Sequence, residues 1–303
     1  SAYSRVVDLS QLLSCSQLEL EIAYRILHTL GQCAGYQELE RCMTDSAIKV
    51  SRRDKVLEVV LDRPPANAVD AKTSRELGKV FEDFRDDPDL RVAIITGAGA
   101  KFFCAGWDLQ AVTDGENTRS DFGIGGFAGL QELPNLNKPI ISAINGICCG
   151  GGLEWALATD IIVSAADATF AFPENRAGII ADAGTLKLPK RIPYHIAMEL
   201  LLTGRWFDAA EGHQWGLVNE IVPADNLMSR VREIAAQIAS GPPLVREAIK
   251  EVVRLTETMA FQDAMHKLRR EEFSSIKRLY GSEDQMEGAR AFVEKRDPVW
   301  KGR

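Results

Sequence analysis

Three stretches of this sequence carry residue types that can do chemistry. "ICCGGGLEWALATD" (147–160) joins two cysteines, three glycines and a glutamate, Glu154, inside an apolar run. "KFFCAGWDL" (101–109) places Gly106 and Trp107 behind the strand-like "RVAIITG", and "FAFPENRAGI" (170–179) places Glu174 just past another strand-like run. Glycines at a strand-to-helix junction let the backbone approach a ligand, and the start of a helix leaves N–H groups unpaired. Such groups suit an oxygen that carries negative charge, and amides from two loops can together form an oxyanion hole. Glu154 reads in two ways, as a solvent-facing partner of the helix dipole or as a buried catalytic carboxylate. Glu174 lies 20 residues and one strand further on, so the two carboxylates can converge on one pocket.

Other chemistries fit less well. Redox cysteines are usually spaced by two residues, whereas Cys148 and Cys149 are adjacent and read as small buried residues at a strand end. The histidines, His28, His195, His213 and His266, form no H-x-x-x-H or H-E-x-x-H pattern, so no metal site is expected. "GIGGFAG" (123–129) formally matches a dinucleotide fingerprint, but polar, turn-prone residues precede it instead of a strand. "GGG" at 150–152 lacks the G-K-[ST] ending of a phosphate-binding loop.

The elements that must position these residues alternate between strand and helix. "KVLEVVLD" (55–62), "RVAIITG" (91–97), "KPIISAING" (138–146), "IIVSA" (161–165) and "TFAFPE" (169–174) read as strands, and "AKTSRELGKVFEDFRDD" (71–87) and "GLEWALATD" as helices. Such alternation predicts an α/β fold with a largely parallel sheet covered on both sides. After Gly184 the periodicity is mainly helical, interrupted by the short strand "VNEIV" (218–222). The first 45 residues differ in character; "SQLELEIAYRILHTL" (16–30) is an amphipathic helical pattern, and a boundary is placed near Met43.

The whole chain has 303 residues, 46% hydrophobic, with 36 basic and 43 acidic side chains and a net charge of −7. That balance disfavours broad nucleic-acid binding. No apolar run approaches the length of a membrane span, and no secretory signal is read at the N-terminus. Six cysteines without a paired framework imply free thiols and a cytoplasmic, reducing setting.

In these motifs the chain resembles the crotonase (enoyl-CoA hydratase/isomerase) superfamily, from about Ala47 to Arg303. "LDRPPANAVD", "RVAIITGAGAKFFCAGWDL", "KPIISAINGICCGGGLEWALATD", "FAFPENRAGI", "LLTGRWFDAAEGHQWGLVNEIVP" and "GARAFVEKRDPVWKGR" follow the family pattern in order. "CAGWDL", "DFGIGGFAGL" and "EKRDPVWKGR" are most similar to its carnitinyl-CoA dehydratase branch. The resemblance implies a crotonase-like (ββα)n spiral core over 46–240, a helical C-terminal trimerisation region over 241–303, and residues 1–45 as an extension outside the match.

Carried onto this sequence, the resemblance implies an oxyanion hole from the N–H groups of Trp107 and Gly151, with Glu154 and Glu174 as the hydratase carboxylates. Pro65, Ala66, Ala68, Cys104, Ala105, Gly106, Asp108 and Gly150 would line the substrate channel, and Lys295 would reach coenzyme A. It implies no permanently bound cofactor, coenzyme A as part of the substrate, and a trimer or dimer of trimers. If the substrate carries a trimethylammonium group, the Trp107 indole is a natural partner; the plainer alternative is that the ring simply packs. The sequence departs from the family at "ADAGT" (181–185), one residue shorter near the acyl end of the site, and at Pro65, where many members carry a basic residue. An enoyl-CoA isomerase, which commonly manages with one carboxylate, is the nearest alternative, and an RNA-binding crotonase-like protein or a dinucleotide oxidoreductase the more distant ones.

Overall fold

The computed structural model describes residues 46–303. The helical extension expected over 1–45 lies outside the described residues.

The β-branched, apolar runs of the sequence pair into a six-stranded sheet. It begins with β1 (Ile48–Arg53) and β2 (Val56–Leu61), which are antiparallel. β3 (Val92–Gly97), β5 (Ile140–Ile144), β7 (Ile161–Ala165) and β10 (Glu220–Val222) then follow in parallel. Every residue of β3 and β5 is buried, as expected for strands covered on both faces. β1 was not expected from the sequence. It is an edge strand whose outer positions are Lys49, Arg52 and Arg53, charges that keep an open edge from pairing further.

A second, four-stranded sheet is the main departure from a simple doubly wound reading. β4 (Phe102–Cys104), β6 (Ile147–Cys149) and β8 (Thr169–Ala171) are parallel, and β9 (Phe207–Asp208) closes the edge antiparallel. Each main-sheet strand β3, β5 and β7 is thus followed after a tight turn by a three-residue strand of the second sheet. The loops carrying Trp107, Gly151 and Glu174 leave the ends of these short strands, not the ends of the main sheet. Two asparagines lace the β3–β4 turn. Asn67 Nδ2 donates to the carbonyls of Ala98 and Phe102, and Asn145 Oδ1 accepts from the Gly97 N–H while its Nδ2 donates to Gly99 O.

Helices cover both sheets. α1 (Ala71–Asp86) is capped by Asp70, which accepts from the Thr73 N–H, and it buries Leu77, Val80, Phe81 and Phe84. The short α2 (Leu109–Thr113) follows the 104–108 loop, and α3 (Gly151–Leu157) is buried along its whole length. α4 (Asp182–Lys187), α5 (Tyr194–Thr203) and α6 (Ala209–Gln214) precede α7 (Leu227–Ser240), which packs on the main sheet. There Arg232 holds the buried Glu58 of β2 through two 2.8 Å bonds.

Beyond residue 241 come α8 (Pro243–Thr256), α9 (Phe261–Arg269), α10 (Ser274–Tyr280) and α11 (Glu287–Glu294). The apolar periodicity that runs through "PLVREAIKEVVRLTETMAFQDAMHKLRREEF" (243–273) is broken at 257–260 and again at 270–273. α8 and α10 share a separate apolar cluster of Leu244, Ala248, Phe273, Ile276 and Leu279. The buried Glu251 of α8 accepts from Ser275 N at 2.8 Å and so caps α10.

Candidate active site

The site begins with two loops held edge to edge. Ala105 N–H donates to Ala66 O, Val69 N–H to Gly106 O and Asp108 N–H to Val69 O, so residues 66–69 and 105–108 run together like a short ladder. Arg63 clamps them: its guanidinium bonds Ala68 O and Asp70 and pairs with Asp108 Oδ2 at 2.6 Å. These are the segments of Pro65, Ala66, Ala68, Cys104, Ala105, Gly106 and Asp108, and the fold brings them together. Pro65 is exposed, and Cys104 is fully buried with its thiol pushed up to about 12 by burial.

The 105–107 loop lies against the start of α3. A Cβ on Gly106 would stand 2.8 Å from Gly151 N and 2.9 Å from Cys149 O, and Gly106 has φ +91°, so no side chain fits there. Gly151 is the first residue of α3, where a helix has no internal acceptor for its N–H. Among the described residues no acceptor is bonded to the Trp107 or Gly151 N–H. Two free amides on abutting loops are the arrangement an oxyanion needs. Gly106→Ala is expected to lower kcat about a hundredfold or more, the scale of losing one oxyanion donor, with the fold retained by circular dichroism. Turnover within tenfold of wild type would show that the loop spacing does not matter.

Glu154 sits on α3 one turn inside this junction, 8% exposed. Its Oε1 accepts from the Gly184 N–H at 2.8 Å; Gly184 lies in the first turn of α4, which "ADAGT" opens with Ala181 as its N-cap. Burial raises its pKa, and the Gly184 bond opposes that shift. Glu174 lies in the turn after β8, and a Cβ on Gly150 would be 3.0 Å from its Oε1. Its carboxyl is pushed up to about 7, first by burial and then by repulsion from Glu154 and Asp182. Glu174 Oε2 is buried without a hydrogen-bond partner. The two carboxylates are near enough to repel each other and sit in unlike environments: Glu154 is held by a backbone donor, and Glu174 keeps its proton to well above the ordinary carboxylate range.

Known proteins with this architecture decide the lineage. Residues 51–303 match the enoyl-CoA hydratase/isomerase family. The chain belongs to that family. The carnitinyl-CoA dehydratases of Proteus mirabilis (strain HI4320) and Escherichia coli (strain K12) are each 52% identical over 258 residues, 85% of this chain and 99% of theirs. A solved enoyl-CoA hydratase from Mycobacterium tuberculosis H37Rv matches with a TM-score of 0.77 at 37% identity, covering 85% of this chain and 99% of the other. The (ββα) repetition of the two sheets is the crotonase fold of this family.

Within this enoyl-CoA hydratase/isomerase frame, several residues around Glu154 and Trp107 were not singled out from sequence. Lys187 of α4 donates to Gln131 Oε1 at 2.6 Å, and its ammonium is pulled down to about 8 by burial, with Glu154 opposing the shift. Gln131 Nε2 is buried without a partner. Glu116 accepts from the Trp107 indole N–H at 2.5 Å through Oε1 and from Ala71 N–H at 2.8 Å through Oε2. The cysteines behave as the sequence suggested: Cys148 and Cys149 are buried free thiols at the end of β6. Lys295 stands apart, exposed at the C-terminal cap of α11, with no hydrogen bond or ion pair to the pocket residues. Among the described residues no cluster of His, Cys, Asp or Glu is arranged to hold a metal, and no helix is long and apolar enough to cross a membrane.

Proposed function

We propose that the protein is a hydro-lyase that reversibly hydrates a 2-enoyl-CoA thioester, with crotonobetainyl-CoA and carnitinyl-CoA as the substrate pair. The paired carboxylates in unlike environments carry this reading. The thioester oxygen takes the N–H groups of Trp107 and Gly151. Glu154, ionised, removes a proton from water as its oxygen attacks the β carbon. The carbonyl oxygen takes up the charge as an enolate, and Glu174, protonated, delivers its proton to the α carbon. Dehydration runs the same steps backwards.

The pair carries one proton at the start, on Glu174, and one at the end, on Glu154. Both directions therefore need the singly protonated pair, and kcat/KM is bell-shaped in pH with the same limbs for hydration and dehydration. The alkaline limb belongs near 7, where Glu174 loses its proton. An isomerase moves one proton between carbons and commonly manages with one carboxylate, so retention of both favours hydration.

The 52% identity to carnitinyl-CoA dehydratases supports the substrate pair. The ladder of residues 66–69 and 105–108 supports a channel wall for coenzyme A at Pro65, Ala66, Ala68, Cys104–Asp108 and Gly150, with Lys295 as the reaching cation and no cofactor beyond the substrate's own coenzyme A. Exposed Ile180, Leu186, Val253 and Phe292 support self-assembly into a trimer or dimer of trimers through surfaces that include the 241–303 region. Three unpaired cysteines among the described residues support a reducing, cytoplasmic setting. The direct test is loss of the enoyl-thioester absorbance band when purified protein meets crotonyl-CoA or crotonobetainyl-CoA. No change with either sinks the reading.

A further inference from the structure

We propose that Trp107, Phe122 and Phe127, with the Glu116 carboxylate behind the indole, form a seat for a quaternary ammonium group on the substrate's acyl chain and so set specificity. The seat rests on the hydration reading above and assigns residues to the recognition that reading leaves open. The three rings form a continuous row. Trp107 meets Phe122 edge to face with centroids 6.4 Å apart, and Phe122 meets Phe127 in the same way at 6.0 Å. None is sealed in the core; each is only partly buried.

The row runs along the oxyanion hole. Trp107 supplies one of its amides, and the Phe127 ring edge lies where a Cβ on Gly151, the other donor, would be, 2.5 Å from that point. A nitrogen on the γ carbon of an enoyl chain is only a few bonds from the thioester carbonyl. With the carbonyl oxygen between the two amides, such a nitrogen is within reach of these rings, since Phe127 borders Gly151 and Trp107 supplies the other amide. Aromatic faces attract a cation within about 6 Å of the ring centroid, and Trp attracts most strongly.

Glu116 separates this seat from a plain apolar wall. A neutral chain needs no carboxylate at its side, and a partly buried one is costly unless bonded. Here both oxygens are bonded, Oε1 to the indole N–H and Oε2 to the first amide of α1. The anion is thereby fixed, and it places negative charge behind the ring that would face the cation. The glycines of "GIGGFAG" serve the same seat. Gly129 (φ +73°) lies so close to α1 that a Cβ would be 2.4 Å from Gly78 N, and Ala128 N–H donates to Ser74 Oγ. The motif that formally resembled a dinucleotide fingerprint is a tight turn that presents Phe122 and Phe127.

The experiment compares crotonobetainyl-CoA with the neutral isostere in which carbon replaces the ammonium nitrogen. The readout is the ratio of their kcat/KM values in wild type, Glu116→Gln and Phe122→Leu. A ratio within one enzyme preparation is insensitive to partial loss of folded protein. Wild type should favour the cation about tenfold or more, and each variant should lower that ratio by about threefold or more. A wild-type ratio near one, or an unchanged ratio in both variants, overturns the seat. Crotonyl-CoA separates the two readings: turnover of crotonyl-CoA with a ratio near one sinks only the seat. If none of the three thioesters is turned over, the hydration reading fails, and the ratio of dissociation constants for the cationic and neutral thioesters decides the seat by the same criteria.

Discussion

Glu174→Gln is expected to lower kcat for enoyl-CoA hydration by about a thousandfold, within the usual range for removal of a positioned proton donor. The same substitution should stabilise the protein at alkaline pH. The carboxyl is raised from an ordinary 4.5 to about 7 in the folded state, by burial first and then by the nearby Glu154 and Asp182. The folded state therefore disfavours the ionised form. Wild type loses stability as pH rises from the unfolded value of 4.5 to about 7 and carries the full penalty above it. Glutamine has no charge to bury, so it escapes this penalty. The difference in Tm, variant minus wild type, should be near zero below pH 4.5, grow between 4.5 and 7, and level off above. Thermal melts at pH 4 and pH 8, with turnover measured on the same preparations, check this. Lower activity with a lower Tm at pH 8 would mean that Glu174 holds the fold together, and activity within tenfold of wild type would remove it from the reaction. A group that costs stability and supports rate is what a functional site is expected to contain.

Much of this was legible in the sequence, for identifiable reasons. β2, β3, β5 and β7 are β-branched and apolar along their length, so their burial was readable. Glu154 and Glu174 stood out because each is an acid in an apolar setting beside a glycine-rich turn or strand end. The second sheet was only partly legible because β4, β6 and β8 are three residues each, too short for periodicity to speak. "KPIISAING" followed by "ICC" reads as one strand and a junction; it is two strands because the chain turns after Asn145, whose side chain bonds the β3–β4 turn rather than its own strand. Lys187 and Gln131 were missed because their contact joins residues 56 apart in the sequence. Glu116 was missed because it sits in a polar, turn-rich segment where an acid looks like ordinary surface. The break at 257–260 carries no glycine or proline, so nothing in the local sequence announced it.

Glu154→Gln should separate the two carboxylates by what each does to the substrate. Hydration should fall about a thousandfold, because no base is left to take the proton from water. Proton exchange at the α carbon is a different matter. A saturated thioester such as butyryl-CoA presents the same carbonyl to Trp107 and Gly151 and the same α carbon to Glu174, with no water to activate. Glu174 can remove and return that proton alone, through the same enolate held by the same amides. Deuterium uptake from heavy water into butyryl-CoA, followed by mass spectrometry, should therefore persist in Glu154→Gln and vanish in Glu174→Gln. Loss of Glu154's charge also removes one source of the upward shift on Glu174, so the pH at which exchange is half-maximal should move down in the variant. If exchange disappears equally in both variants, the carboxylates act as one unit and the division of labour is wrong. If it persists in Glu174→Gln, Glu174 is not the group that takes the α proton, and its assigned role is wrong.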